Sequence, residues 1–273
     1  MKRSNAKKKP GTGAFRIKRS LFAGPYIVWM AIFILSPMLL ILYYAFTSDG
    51  SFTLEYLRAA LGWDYFRVLL DSVRFALYTT VLCLLLGYPV AYLLSRMKKS
   101  TAALLSVFFI VPMWMNFLLR TYAWKVLLGA FTNILYTESA VLLGMVYNFL
   151  PFMVLPIFSV IEKMDVRLIE AAQDLGAGSA ATFRRVIFPL SLPGVLSGIT
   201  MVFIPAVSTF VISRLLGGGL TLLLGDLIEM QFLGSAYNPH LGSAISLVMM
   251  VIVLISMAVM NRFGEGEEEV VML

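Results

Sequence analysis

Long apolar runs alternate with short charged segments along the chain. Between charged residues, the stretches 21–48, 75–95, 100–119, 139–161, 186–213 and 230–261 each hold at least 20 residues. A helix rising about 1.5 Å per residue needs about 20 apolar residues to cross the hydrocarbon of a bilayer. Such a helix satisfies its own backbone donors and acceptors, which lipid cannot do. The strand-like alternation of an outer-membrane barrel is absent. The pattern therefore predicts an all-α, polytopic membrane protein with six transmembrane helices.

Composition removes the soluble alternative. Of 273 residues, 60% are hydrophobic and 14% charged, against about 25% charged in an ordinary soluble domain. The basic opening MKRSNAKKKPGTGAFRIKRS has the charge of a secretory leader. The apolar run behind it is much longer than a signal core and lacks a small-x-small end, so it reads as a retained first span. The lone Cys83 lies in the second run, which excludes a disulfide within the chain.

Charge sets the orientation. Sixteen of the 22 Lys and Arg residues fall on the side that holds both termini, and six on the other. The positive-inside rule puts the termini in the cytoplasm. The net charge of +7 is thus a topology and lipid-headgroup signal, and no nucleic-acid partner is expected. Three regions follow: a basic cytoplasmic segment 1–20, a six-span domain 21–262, and an acidic cytoplasmic tail 263–273, expected to be unstructured. Outside, a loop of about 25 residues at 49–74, a short one at 125–138 and a longer one at 215–241 are expected. The last contains LTLLLGDLIEMQF, apolar enough for an interfacial or re-entrant helix. Its neighbour His240 reads as an ordinary external histidine. Pro37, Pro89, Pro112, Pro151, Pro156, Pro189, Pro193 and Pro205 inside the spans point to bent helices, which membrane proteins tolerate where neighbours re-satisfy the backbone.

Catalytic chemistry is missing. No GxxxxGK[ST] loop can cradle nucleotide phosphates. His240 has no partners at metal spacing, so no metal site is expected. No catalytic residue and no cofactor of the chain's own are expected. The spans hold no acidic residue near their middles, which counts against an ion-coupled secondary transporter, and a stand-alone channel or secondary transporter stays as an alternative reading.

One charged segment, the loop at about 162–185 with its EAAQDLGAGSAATFRR, has a design of its own. Asp165 is placed to cap a helix starting at Val166. Val166, Ile169 and Ala172 recur at helical spacing as one apolar stripe, with Arg167, Glu170, Gln173 and Asp174 towards water. Gly176 stands where a left-handed C-cap belongs. A second short helix after Ser179 would bring Arg184 and Arg185 to the membrane surface, with Pro189 and Pro193 bending the entry into span 5. The expected object is a rigid cytoplasmic lever joined to two spans.

Glu170-Ala171-Ala172, Gly176 and Val186-Ile187-Phe188-Pro189 resemble the EAA-x3-G-x9-I-x-L-P loop of binding-protein-dependent ABC importer permeases. Val186 and Phe188 replace Ile and Leu, and both stay apolar. PMWMNFLLRTYAW (112–124), GGGLTLLLGDLIEMQF (217–232) and NPHLGSA (238–244) are similar to the first permease subunit of spermidine/putrescine importers. Pro239-His240 departs from the Trp-Pro pair of that group. The resemblance implies a type I permease fold in a bacterial cytoplasmic membrane. It implies a homologous second permease, two cytoplasmic ATPases that bind ATP and Mg, and an extracytoplasmic binding protein. Asp165, Glu170, Ala171, Ala172, Gly176, Arg184 and Arg185 would couple to an ATPase.

A polyamine cargo is a flexible polycation, and aromatic faces stabilise an ammonium by about 0.5–2 kcal/mol. Trp114, Asn116, Tyr122, Trp124, Tyr147 and Asn148 form the candidate path, although each aromatic is also suited to an interfacial belt. Asp226 and Glu229 are candidates for external docking. Arg120 would anchor to headgroups or pair with an acid. Permeases for iron, thiamine, sulfate or amino acids remain alternative readings of the same loop.

Overall fold

The computed structural model describes residues 19–48, 50–234 and 236–271. Most of the basic segment (1–18), Asp49 and the last two residues of the acidic tail lie outside them. Among the described residues, five helices are long and apolar enough to span a membrane, or six when one sharply bent pair is counted as a single span. The all-α expectation holds, apart from one two-residue hairpin.

The first span joins α1 (Arg19–Met30), a π-helical turn (Ala31–Leu35) and α2 (Ser36–Phe46). The hairpin β1 (Thr47–Ser48) and β2 (Ser51–Phe52) leads to α3 (Glu55–Ala60) and the 33-residue α4 (Trp63–Ser95). Over two thirds of the external loop expected at 49–74 is thus helix. Arg74, read as a loop residue, joins Asp71 at 3.3 Å and Glu138 at 3.0 Å.

The third run is not one rod. α5 (Lys99–Trp114) and α6 (Phe117–Phe131) meet at 95°. Pro112 removes a helix donor, Met115 is extended, and Asn116 caps α6 by accepting from the amides of Leu118 at 2.8 Å and Leu119 at 3.3 Å. The sixth run divides as well. α12 (Leu224–Leu233) stops at Gly234, and α13 (Pro239–Val271) restarts behind Asn238, whose Oδ1 accepts from Leu241 N at 3.1 Å. α12 lies where the interfacial helix was expected. The acidic tail, expected without structure, continues α13 as far as Val271.

Between these lie α7 (Glu138–Glu162), α8 (Val166–Asp174), α9 (Ser179–Thr182), a second π-helical turn (Phe183–Ile187), α10 (Phe188–Val207) and α11 (Val211–Gly217). Both π turns precede a helix with proline in its first turn, Pro37 or Pro189. A proline there has no amide to give, and the wider turn carries the chain past the gap.

The core is a triple contact of α4, α7 and α10 around Met145, Met153, Ile157, Cys83 and Val202, all fully buried. Lipid tails are as apolar as leucine, so close packing drives this contact. Gly194 makes it possible: a Cβ there would lie 3.0 Å from the Pro156 carbonyl oxygen and 3.1 Å from the Ile157 Cα. The first span stands outside the core and packs through α2 on α13. His240 fastens that contact: its Nδ1 lies 3.0 Å from the Tyr44 carbonyl, and its ring stacks on Tyr56 at 5.2 Å.

Candidate functional site

α8 and α9 project from the ends of α7 and α10. Asp165 accepts from the Arg167 amide at 3.0 Å, as a capping residue should. At the far end, the Gly176 N–H donates to Gln173 O at 2.8 Å and the Ala177 N–H to Ala172 O at 3.0 Å. With Gly176 at φ +82° this is a Schellman ending, which closes the helix and fixes the exit direction. Gly178 caps α9, and the π turn then runs into α10.

Ile169 is buried and Ala172 half-buried, as their spacing predicts. Val166 is not: it is 59% exposed, because the buried side of α8 is centred on Ile169 and Ala172, a quarter of a turn away. Sequence reasoning missed a second stripe. Leu168, Ala171 and Leu175, spaced i, i+3, i+7, are all exposed, Leu175 to 90%. The i, i+3, i+7 spacing alone could have found them. Arg167, Glu170 and Asp174 flank this stripe as an exposed charged face. Arg184 and Arg185 are exposed on the outer side of the π turn, with Phe183 and Ile187 on its inner side. A cleft of about 400 Å³ between α8 and α9 is lined by Ala172, Leu175, Gly176, Ala181 and Arg185.

Of the six path candidates, Trp124 and Tyr147 meet edge to face at 5.2 Å. They line a recess of about 370 Å³ with Leu82, Leu86, Leu142 and Val146, whose walls are almost wholly apolar. Asn116 serves as the α6 cap. Asn148 is buried, its Nδ2 donating to Gly144 O at 2.9 Å and its Oδ1 without a partner. Trp114, 84% exposed, and Tyr122, 53% exposed, face outward in the manner of an interfacial belt. Arg120, expected at headgroups or beside an acid, is instead buried, and its Nε and Nη1 have no hydrogen-bond partner.

The docking pair differs from expectation too. Asp226 is 6% exposed, because its carboxylate turns inward to accept from the Leu223 amide at 2.9 Å and start α12. Glu229 is held by Arg214. Together with Thr221 and Met230 these residues line a recess of about 240 Å³. Burial pushes the Asp226 carboxyl above its ordinary 3.8, against the bonds from Ser213 and Leu223. The folded chain therefore keeps this proton longer than the unfolded chain does. Its stability is fully present below the ordinary value and falls as pH rises through the folded one. Thermal unfolding in detergent should show this decline as pH rises above the ordinary carboxylate range, and Asp226→Asn should flatten it. An unchanged slope in the variant would remove Asp226 as its source.

Comparison with known proteins agrees with this geometry. The family described as "Binding-protein-dependent transport system inner membrane component" matches residues 84–265. The chain is 39% identical to the spermidine/putrescine transport system permease protein PotB of Escherichia coli (strain K12), over 82% of this chain and 90% of that one. It is 39% identical to PotB of Haemophilus influenzae over 86% and 90%. Inner membrane ABC transporter permease protein YdcU of E. coli is 26% identical over 93% and 91%. Among solved structures, a bacterial ABC transporter that imports alginate superposes with a TM-score of 0.71 at 13% identity, covering 90% of this chain and 94% of that one. The methionine ABC transporter MetNI gives 0.60 at 17% identity, covering 73% and 94%. The fold is that of ABC importer permeases, and the chain belongs to the inner-membrane components of binding-protein-dependent transport systems.

Proposed function

We propose that this chain is one permease of an ATP-driven polyamine importer, and that α8 is its contact with a cytoplasmic ATPase. The observation that carries the contact is the exposed Leu168–Ala171–Leu175 stripe beside Arg167, Glu170 and Asp174. Apolar residues on a water-facing helix signal a protein partner when they form a patch rimmed by charge. The 39% identity to PotB over most of both chains supports the cargo, spermidine or putrescine.

In this reading a homologous permease completes the path, two ATPases supply ATP and Mg chemistry, and an extracytoplasmic binding protein delivers the polyamine. Both termini are cytoplasmic, in accord with the excess of basic residues on that side. ATP-driven closure of the ATPases moves α8 and α9 as one piece. The Asp165 cap and the Schellman ending keep α8 from unwinding, so the displacement reaches α7 and α10 instead of being absorbed locally. Trp124 and Tyr147 are the proposed aromatic contacts for an ammonium group. Asn116 is no longer one, since its amide oxygen is taken.

The test is to tag the chain in a cell that carries the whole system, purify it, and measure ATP hydrolysis. The reading expects an ATPase to co-purify and its rate to rise with spermidine-loaded binding protein. Stimulation only by a binding protein loaded with iron, thiamine, sulfate or an amino acid would keep the permease and replace the cargo. A chain that purifies without an ATPase and still transports would overturn the reading.

A further inference from the structure

We infer that Tyr88 is a positioning residue for coupling, the point at which movement of α8 and α9 is passed from the π turn into α4. The inference rests on the reading of α8 and α9 as the ATPase lever. The joint between lever and span is the π turn Phe183–Ile187, where the Phe188 amide reaches back five residues to the Phe183 carbonyl. π turns are rare and collect at functional places. With Pro189 following, this one has no α-helical ladder to stiffen it, so backbone alone would absorb part of a push.

Side chains on the inner face of the joint supply what the backbone lacks. Phe183 meets Tyr88 edge-on at 5.8 Å and Tyr92 edge-on at 5.4 Å, both from α4. Phe188, the first residue of α10, lies 5.8 Å from the Tyr88 ring. The Tyr88 hydroxyl is 2.8 Å from Ser191 Oγ, and Ser191 Oγ itself donates to Phe188 O at 2.8 Å. A serine has one hydrogen to give, so the Tyr88 O–H is the donor to Ser191. Tyr92 is braced in turn by Arg96, whose guanidinium lies over its ring at 5.1 Å and bonds its hydroxyl at 3.2 Å. One buried tyrosine of α4 therefore touches the π turn by its ring and the first turn of α10 by its hydroxyl.

The experiment uses the whole complex, with companion permease, ATPase and binding protein, in proteoliposomes, and reads polyamine imported per ATP hydrolysed. Tyr88→Ala should lower that ratio about tenfold while the subunits co-purify in wild-type proportion. Tyr88→Phe and Ser191→Ala both remove the Tyr88–Ser191 hydrogen bond, and Ser191→Ala also removes the one to the Phe188 carbonyl. Each should lower the ratio about threefold or more, and the double variant should fall no further than Ser191→Ala alone. A wild-type ratio in Tyr88→Ala, or uptake and hydrolysis falling in proportion, would overturn the inference. If Tyr88→Ala does not assemble, the two single variants and the double decide it, and losses that add up would count against it. Gly176→Val serves as the control on the lever. A ratio lowered by Gly176→Val but not by the Tyr88 and Ser191 variants sinks this inference alone. A ratio unmoved by Gly176→Val sinks the lever reading beneath it.

Discussion

Gly176→Val is expected to cut ATP-driven uptake about tenfold, the factor that 1.4 kcal/mol represents, while the protein still accumulates in the membrane. Space is not the obstacle, because a Cβ at this position would meet nothing within 4 Å. The obstacle is the backbone at φ +82°, which costs an L-residue about 1–2 kcal/mol and a β-branched one more. The turn escapes that cost by reverting to φ < 0, which breaks the bonds from Gly176 to Gln173 and from Ala177 to Ala172. α8 then leaves α9 at a different angle, and its exposed stripe no longer meets the ATPase as before. Uptake of labelled spermidine, normalised to the amount of permease, reads the effect. Full uptake by the variant would mean that the direction of α8 is immaterial.

Gly194→Leu should have the opposite signature and deplete the protein itself. A Cβ at Gly194 would press on backbone atoms of Pro156 and Ile157, which cannot rotate aside as a side chain could. Overpacking costs about 1–3 kcal/mol, and here it would separate α10 from α7, one of the contacts on which the three-helix core rests. Most of the variant should fail to appear as a monodisperse species in detergent. A variant that accumulates and melts like the wild type would show that α7 and α10 do not need this approach.

These two glycines mark what was legible in the sequence and what was not. Gly176 was readable because a helix end is a local event: Asp165, the apolar spacing and the glycine all lie within one short segment. Gly194 was not, since its neighbours on α7 are distant in sequence and only packing brings them together. Runs between charges located the spans but could not see breaks made by uncharged residues. Asn116 and Asn238 are caps inside such runs, so the third run became α5 and α6, and the sixth became α12 and α13. Asn238 directly before Pro239 is a readable helix start, and Pro112 a readable helix stop ahead of Asn116. The path and docking residues are less legible for a different reason. Asp226 and Asn148 stand out by residue type, and residue type does not tell whether a carboxylate or amide points inward. Arg120 is the same case.

The central claim is that a polyamine crosses through this permease at the expense of ATP hydrolysed on its cytoplasmic side. Its most direct test is uptake of labelled spermidine into proteoliposomes that hold the complete complex, with loaded binding protein outside and ATP sealed inside. The account predicts accumulation that needs internal ATP and falls about tenfold in Gly176→Val. Accumulation that proceeds equally without ATP, or an ATP-dependent complex that leaves spermidine outside, would contradict it.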